Sequence, residues 1–341
     1  MISPFNYDLP PDRIAQRPVR PYHDAKLLVI KRDLASLTDQ TFLDFPEHLT
    51  SKDLIVFNNT KVIPARFLGE FHGSGGAVEV LLVSNIKESI WRVLGKPLRK
   101  FVPGKLIKFS SQLSAEIVAR EEDTAVLRFY SEDSSDTSLL MEQVGIMPIP
   151  PYIRAGHSDD QDRIDYQTPF GEVEGSVAAP TASLHFSPEV MAKIKEKGVR
   201  TASITLHLNT ASFQPLVSKD TTEIKPPPSE KILISNQLRQ EIADTKLRGG
   251  RVIAVGTSVV RSLESTELEG VEAKGSTDLF IKPGHIFKVV DVVVTNFHQP
   301  GTSHLMLVEA FLGRDLLAKS YAHALDTSYR FLSYGDGMVI F

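Results

Sequence analysis

The sequence predicts an α/β fold whose large domain is interrupted by a small antiparallel β-barrel domain. In the C-terminal half of the chain, strand-like apolar runs alternate with helix-like segments, as in a parallel sheet covered by helices. Between about residues 69 and 128, five short apolar runs are separated by turns containing glycine or proline, and no segment has a helical period. We therefore predict a large domain of residues 1–68 and 150–341 and an inserted barrel of residues 69–149.

The individual elements follow from apolar runs bounded by polar residues or turn signals. In the N-terminal segment, Lys26–Lys31, Asp53–Asn58 and Val62–Phe71 predict strands, and Phe42–Leu49 predicts a short helix or loop. Barrel strands are predicted at Ala77–Val83, Ile90–Leu94, Leu106–Phe109, Ala115–Ala119 and Ala125–Tyr130. Later strands are predicted at Val177–Ala179, Ala202–Leu208, Val252–Val255, Leu279–Ile281 and Val289–Thr295. Helices are predicted at Leu139–Gly145, Ser187–Gly198, Ser235–Arg248, Val259–Thr266, Ser303–Leu312 and Leu316–Tyr329.

Composition excludes several classes of protein and site. The 341 residues are 42% hydrophobic and carry 38 basic and 42 acidic side chains, so RNA contact would depend on a local patch. The chain has no cysteine, which excludes disulfides, iron–sulfur clusters and thiolate zinc sites. The first residues lack the apolar run of a signal peptide, and no stretch approaches the roughly 20 apolar residues of a membrane span. We expect a cytoplasmic protein.

Candidate sites lie in loops at strand ends, where α/β folds bind their ligands. His185, His207 and His298 are the candidate general acids or bases, because histidine titrates near neutral pH. For each of them the alternative is a packed or hydrogen-bonded histidine without catalytic function. Asp278 precedes one apolar run and Asn296 follows another, and both are expected to converge with His298 on one rim. The histidines show no H-E-x-x-H or H-x-H spacing, so no metal site is predicted.

The predicted barrel carries a basic stripe. Between residues 87 and 108 lie seven lysines and arginines and a single acid, with Trp91 and Phe101 among them. Such a stripe can attract phosphates, although an ordinary solvated face is equally compatible with the pattern. The candidate RNA-binding residues are Arg92, Lys96, Arg99 and Lys100.

Several long strings of the sequence resemble the S-adenosylmethionine:tRNA ribosyltransferase-isomerase family of queuosine biosynthesis. They include FNYDLPPDRIAQRP, DLIVFNNTKVIPAR, MPIPPYI, DRIDYQT, VAAPTASLHF, RGGRVIAVGTSVVRSLES, VVDVVVTNFHQP and YRFLSYGDGMVI, and they extend through nearly the whole chain. The resemblance implies an open α/β-barrel-like domain with an inserted β-barrel. It also implies transfer and isomerisation of the ribosyl group of S-adenosylmethionine onto 7-aminomethyl-7-deazaguanine at the tRNA wobble position, which gives epoxyqueuosine and releases adenine and methionine.

The implied reaction assigns roles by residue chemistry. It requires a base beside the sulfonium, for which the three histidines are candidates, with Asp278, Thr181 and Thr257 as orienting groups. Arg261 is a candidate for the methionine carboxylate. The remaining candidate substrate-binding residues are Tyr166, Gln167, Pro180 and Asn296. S-adenosylmethionine is expected as a co-substrate without a permanently bound cofactor, and a monomer is expected to act on tRNA.

Several positions depart from the family pattern. Ser183, Asn209 and Ala211 stand where the family has glycine, and Val259 stands where it has a hydroxyl residue. Lys225 and Pro228 replace histidines, and His304 and Glu309 also differ. Because these changes fall in predicted site loops, two alternatives stay open. One is a paralogue that uses S-adenosylmethionine on another acceptor, and the other is a non-catalytic RNA- or nucleotide-binding relative.

Overall fold

The computed structural model describes residues 5–209, 226, 229–265 and 273–341. Its strands are β1 (Lys26–Lys31), β2 (Ser36–Thr41), β3 (Leu54–Asn58), β4 (Thr60–Val62), β5 (Arg66–Phe71), β6 (Ala77–Lys87), β7 (Ile90–Lys96), β8 (Leu106–Lys108), β9 (Leu113–Arg120), β10 (Ala125–Ser131), β11 (Val173–Ser176), β12 (Arg200–Leu206), β13 (Glu230–Ile234), β14 (Val252–Val255), β15 (Ala273–Thr277), β16 (Val292–Asn296) and β17 (Gly337–Ile340). Its α-helices are α1 (Thr137–Val144), α2 (Asp162–Asp165), α3 (Pro188–Glu196), α4 (Asn236–Leu247), α5 (Thr257–Glu264), α6 (Ser303–Leu312) and α7 (Arg314–Asp326).

The large domain is built on an open, nine-stranded mixed sheet with the order β15-β13-β12-β3-β14-β16-β17-β1-β2. The four central strands β12, β3, β14 and β16 are parallel to one another. β17 runs antiparallel to β16 and parallel to β1. The carboxyl ends of the four central strands therefore meet the amino end of β17 at one edge of the sheet.

Both faces of the central sheet are buried, which explains why its strands read as continuous apolar runs. Successive side chains point to opposite faces. On β14, Val252 and Ala254 pack into a cluster with α4, α5, α6 and α7, whereas Ile253 and Val255 pack with α3 and the 3₁₀ helix Phe42–His48.

The small domain is a closed antiparallel barrel of β10-β7-β6-β5-β8-β9. Phe67, Phe101 and Phe129 are buried in its interior, so side chains fill the barrel. Gly95 on β7 is required for this packing, since a Cβ there would lie 2.2 Å from the Phe101 ring. The α/β class with an inserted small barrel is confirmed.

Several details of the predicted elements were wrong, and the strands β2, β11, β13, β15 and β17 were not predicted. The polar strand β2 was not predicted, because it is an edge strand with little apolar burial. Val177–Ala179 and Leu279–Ile281 are buried or half-buried but are not strands. They form irregular connections, and the Leu279 carbonyl, for example, accepts a hydrogen bond from the Arg261 guanidinium instead of a neighbouring strand. The predicted start of the inserted domain at residue 69 falls inside β5. No helix in the described ranges is long and apolar enough to cross a membrane.

Candidate active site

A cleft opens where the carboxyl ends of β14 and β16 meet, the usual ligand position in an open α/β sheet. We call it the main cleft; it encloses about 70 Å³, and Pro180, Thr181, Thr257, Asn296 and His298 line it. Five residues predicted from the sequence are thus brought together. They come from three separate segments. Pro180 and Thr181 lie at the start of the 3₁₀ helix Thr181–His185, Thr257 follows β14, and Asn296 and His298 lie at or after the end of β16.

The corner between β14 and α5 gives the cleft a positive end. Gly256 has a φ of +94°, which disfavours other residues, and its N–H donates to the Val294 carbonyl at 2.7 Å. α5 starts at the next residue, without a side-chain cap on its first turn. Thr257 and Ser258, the first residues of the helix, line the cleft. Because the amino end of a helix carries unsatisfied N–H groups, this corner favours a negatively charged ligand group.

Asn296 is oriented by neighbours on one side of the cleft. The Thr181 hydroxyl donates to Asn296 Oδ1 at 2.9 Å, and Asn296 Nδ2 lies 3.4 Å from both His185 Nε2 and the Asp336 carbonyl oxygen. His185 itself is buried behind Asn296, where its ring stacks on Phe42 at 4.1 Å. Burial lowers the pKa of His185 to about 3. The geometry makes His185 a neutral support for Asn296 and does not place it on the cleft wall.

His298 is the predicted histidine that lines the cleft. Its Nε2 lies 2.8 Å from the Thr295 hydroxyl, and its backbone N–H donates to the Tyr321 hydroxyl at 2.9 Å. Burial, with His304 as a second cause, holds the pKa of His298 well below its usual value. The ring is therefore neutral near pH 7.

His304 was missed by the sequence reasoning as a site residue. Its ring stacks on that of His298 at 5.3 Å with an interplanar angle of 25°, and it lines the main cleft. Burial, followed by the charge of Arg261, lowers its pKa to about 4. The sequence held one signal for His304, its departure from the family pattern. Residue spacing gave no further signal, since it does not show that α6 packs back against the cleft.

Arg261 lies in an adjoining cavity of about 30 Å³ that shares Thr257 and His304 with the main cleft. Its guanidinium is paired with the buried carboxylate of Glu230 and donates to the carbonyls of Thr277 and Leu279 at 3.0 and 2.8 Å. Glu230 was not predicted, since nothing in the sequence pairs the start of β13 with α5. Arg261, which was a candidate for binding the methionine carboxylate, is thus already paired with a carboxylate of the protein itself.

The other predicted site residues do not line the main cleft. His207 bonds through Nδ1 to the Thr60 hydroxyl at 2.8 Å. Tyr166 is fully buried and packs edge-on against Tyr334. Gln167 is held by the Val62 backbone, and Asp278 is exposed. On the barrel, Arg92 is paired with Glu121, whereas the other predicted basic residues, Lys96, Arg99 and Lys100, are exposed. Among the described residues, no group of three or more histidine or acidic side chains is arranged to hold a metal ion.

Most departures from the family pattern that the structure describes do not line the cleft. Val259 is fully buried in the apolar cluster under α5. Ser183 is buried within the 3₁₀ helix, and the Asn209 N–H donates to Glu230 at 3.1 Å. His304 does line it. The departures at Ala211, Lys225 and Pro228 lie outside the described residues.

The lowered histidine pKa values predict a pH-dependent stability. Below about pH 6.5 the unfolded chain binds protons at His185, His298 and His304, whereas in the folded chain the lowered pKa values keep these side chains unprotonated. The free energy of unfolding therefore falls as the pH drops. In denaturant titrations between about pH 7 and pH 5, His304→Leu is expected to reduce this slope by up to about 1.4 kcal/mol per pH unit. His157→Leu, at an exposed position, is the matched control for the loss of one histidine. An identical slope in the two variants would contradict the prediction.

Comparison with known proteins identifies the family of the chain. The model of the queuosine biosynthesis protein family matches residues 2–340. The chain belongs to this family. The S-adenosylmethionine:tRNA ribosyltransferase-isomerase of Aquifex aeolicus is 44% identical over 342 residues, and that of Ruegeria pomeroyi is 42% identical over 348 residues. Each alignment covers 99% of this chain and 99% of the relative.

A solved structure of the family is also similar throughout. The S-adenosylmethionine tRNA ribosyltransferase of Thermotoga maritima has 32% sequence identity and a TM-score of 0.57, with 99% of this chain and 100% of that chain covered. The resemblance inferred from the sequence strings is thereby confirmed. Neither the paralogue with another acceptor nor the non-catalytic relative is favoured by these similarities.

Proposed function

We propose that this chain transfers the ribosyl group of S-adenosylmethionine to 7-aminomethyl-7-deazaguanine in the wobble position of tRNA and isomerises it, giving epoxyqueuosine, adenine and methionine. The observation that carries the proposal is the end-to-end similarity to relatives that are named for this activity, at 39–44% identity. The main cleft supports it, because it combines a positive helix end, a neutral histidine and hydroxyl and amide groups. We also propose that the protein acts as a cytoplasmic monomer.

The amino end of α5 is the proposed site for the methionine carboxylate. Thr257 and Ser258 line the cleft there, and the helix dipole favours a negative charge at this end. Arg261 would have to leave Glu230 to bind the same carboxylate. We propose that Arg261 instead stabilises the boundary between the main cleft and the adjoining cavity, through its contacts with Glu230 and the Thr277 carbonyl.

His298 is the proposed base. The carbon next to the sulfonium is acidic because of the adjacent positive charge, and a neutral imidazole can remove its proton. The hydroxyl of Thr295 orients the ring, and the stacked ring of His304 covers it from the side. Thr181 and Asn296 present a hydroxyl and an amide that can orient the leaving adenine or the ribose.

The size of the cleft limits how the co-substrate can bind. The enclosed volumes of about 70 and 30 Å³ are below the roughly 300 Å³ of a site that encloses a drug-sized molecule. S-adenosylmethionine would therefore fill the cleft with only part of its structure and extend from the open edge of the sheet. The tRNA nucleotide would approach this exposed part.

The basic stripe of the barrel is the proposed contact for tRNA phosphates. Replacing Lys96, Arg99 and Lys100 with serine is expected to weaken tRNA binding. The slope of the logarithm of affinity against the logarithm of salt concentration should become shallower by about 2–3, because each residue is expected to contact one phosphate. Binding measured at several salt concentrations tests this. The control is Arg92→Ser, since Arg92 is neutralised by Glu121 and should change the slope less. An unchanged slope in the triple variant would place the tRNA elsewhere.

Product analysis tests the proposed function directly. Purified protein is incubated with S-adenosylmethionine and with tRNA that carries the aminomethyl-deazaguanine, and nucleosides and free adenine are measured by mass spectrometry. Epoxyqueuosine together with adenine is expected. Folded protein that gives neither product would refute the proposal, and adenine released without the modified tRNA would indicate another acceptor.

A further inference from the structure

An irregular segment precedes the first 3₁₀ helix, Pro11–Arg13, and packs on the large domain. We call its residues 5–9 the N-terminal segment. Its side chains alternate, as in an extended chain with one side against the protein: Asn6 and Asp8 are exposed, whereas Phe5, Tyr7 and Leu9 are half-buried against the apolar cluster that contains α6 and α7. None of these side chains lines the main cleft, so the segment has no direct access to a ligand there.

The N-terminal segment contacts the loop that follows β16, residues 297–302, which supplies several cleft-lining residues. The Tyr7 hydroxyl donates to the His298 carbonyl oxygen at 2.5 Å. Three residues further along the loop, the Gly301 N–H donates to the Phe5 carbonyl oxygen at 3.4 Å. The segment therefore holds this loop at two points, and one of them is the residue proposed as the base.

The backbone of His298 is held on both sides by tyrosine hydroxyls. Its N–H donates to the Tyr321 hydroxyl of α7 at 2.9 Å, and its carbonyl accepts from Tyr7. The two tyrosine rings pack edge-on with centroids 5.0 Å apart. Burial raises the pKa of both hydroxyls far above the ordinary tyrosine value, so both stay protonated at neutral pH. Because the N–H and the carbonyl flank the Cα atom, holding both fixes φ and ψ and thereby the direction of the side chain.

We propose that Tyr7 is a positioning residue for proton removal: together with Tyr321, it fixes the backbone of His298 so that the imidazole meets the carbon next to the sulfonium. This inference rests on the proposed function, in which His298 is the base. Tyr7 acts through His298 and does not itself touch the substrate. Reaction rates depend steeply on such placement, since a shift of about 1 Å can cost about 10²-fold. The N-terminal segment is thus part of the catalytic structure, although it lies outside the cleft.

Tyr7→Phe tests this inference, because phenylalanine keeps the ring that packs against Tyr321 and Phe331 and removes only the hydroxyl. Turnover, measured as adenine release at saturating substrates, is expected to fall about tenfold. The KM for S-adenosylmethionine should change by less than about twofold, since no substrate contact is lost. The matched control is Tyr22→Phe, which removes a half-buried hydroxyl that donates to Asp165 outside the cleft, and it should retain full turnover.

A double-variant cycle distinguishes positioning from a general structural effect. In the His298→Gln background, Tyr7 has no imidazole to position, so Tyr7→Phe should change the remaining turnover by less than about twofold. An equal loss in both backgrounds would overturn the inference, because Tyr7 would then act independently of His298. It would also be overturned by unchanged turnover in Tyr7→Phe, by a rise in KM without a fall in turnover, or by a loss that matches the fraction of unfolded protein.

A second measurement does not depend on activity. In full-length protein labelled with nitrogen-15 in histidine, the ring signal of His298 is the one missing from His298→Gln. Tyr7→Phe should shift this signal and Tyr22→Phe should not. An unshifted signal would overturn the inference whether or not product forms. Protein that shows the shift but forms no epoxyqueuosine supports the hold of Tyr7 on His298 and refutes the proposed function. Protein that forms product with a turnover insensitive to Tyr7→Phe refutes only the inference.

Discussion

Replacing His298 with glutamine is expected to lower the turnover of ribosyl transfer about 10²- to 10⁴-fold, the usual cost of losing a general base. Glutamine retains hydrogen bonding but cannot accept the proton. His298 is the predicted histidine on the cleft wall, and burial, with His304 as a second cause, lowers its pKa and keeps the ring neutral. Initial rates of adenine release at saturating substrates measure the effect.

A matched substitution separates chemistry from folding. His157→Gln changes an exposed histidine outside the cleft and should retain full turnover. Thermal or denaturant unfolding of His298→Gln should show a cooperative transition like that of the parent. A folded variant with less than a threefold loss of turnover would show that His298 is not the base and would move attention to His304.

Replacing Arg261 with methionine is expected to destabilise the protein by about 3–5 kcal/mol, because the carboxylate of Glu230 then stays buried without its cation. The carbonyls of Thr277 and Leu279 lose their donors in the same change. Denaturant unfolding of the purified variant measures the loss. A lower activity is expected at temperatures at which the variant is partly unfolded.

Removal of both charges distinguishes this explanation from simple loss of volume. The double variant Arg261→Met with Glu230→Gln should be less destabilised than the single variant, since no buried charge is left. The control pair, Arg128 and Glu116, is exposed on the barrel, and Arg128→Met should cost less than about 1 kcal/mol. A double variant less stable than Arg261→Met would refute a dominant role of the buried charge.

The sequence was sufficient to predict the parts of the site that follow from strand order. Thr257 and Asn296 come directly after or at the end of neighbouring parallel strands, so their convergence follows from sheet topology. The same reasoning could not place His304, which reaches the cleft only because α6 packs back on the sheet. It also could not show that His185 lies behind Asn296 and does not line the cleft, because this depends on the turn of the 3₁₀ helix that carries it.

Apolar character alone predicted burial better than it predicted strand pairing. Val177–Ala179 is buried as expected, but it leads into the 3₁₀ helix and pairs with no sheet strand. The departures from the family pattern were similarly misleading, because position in a loop of the sequence does not define distance from the ligand. Val259 belongs to α5, and its side chain packs into the apolar cluster and does not line the cleft.

The proposed reaction transfers the ribosyl group of S-adenosylmethionine, and not its methyl group, to the tRNA. The most direct measurement uses two co-substrates, one labelled with carbon-13 throughout its ribose and one labelled only in its methyl group. After incubation with tRNA that carries the aminomethyl-deazaguanine, mass spectrometry of the digested nucleosides should find the entire ribose label in epoxyqueuosine and no methyl label. A modified nucleoside that carries the methyl label, or tRNA that gains no label from folded protein, would show that the chain does not catalyse this ribosyl transfer.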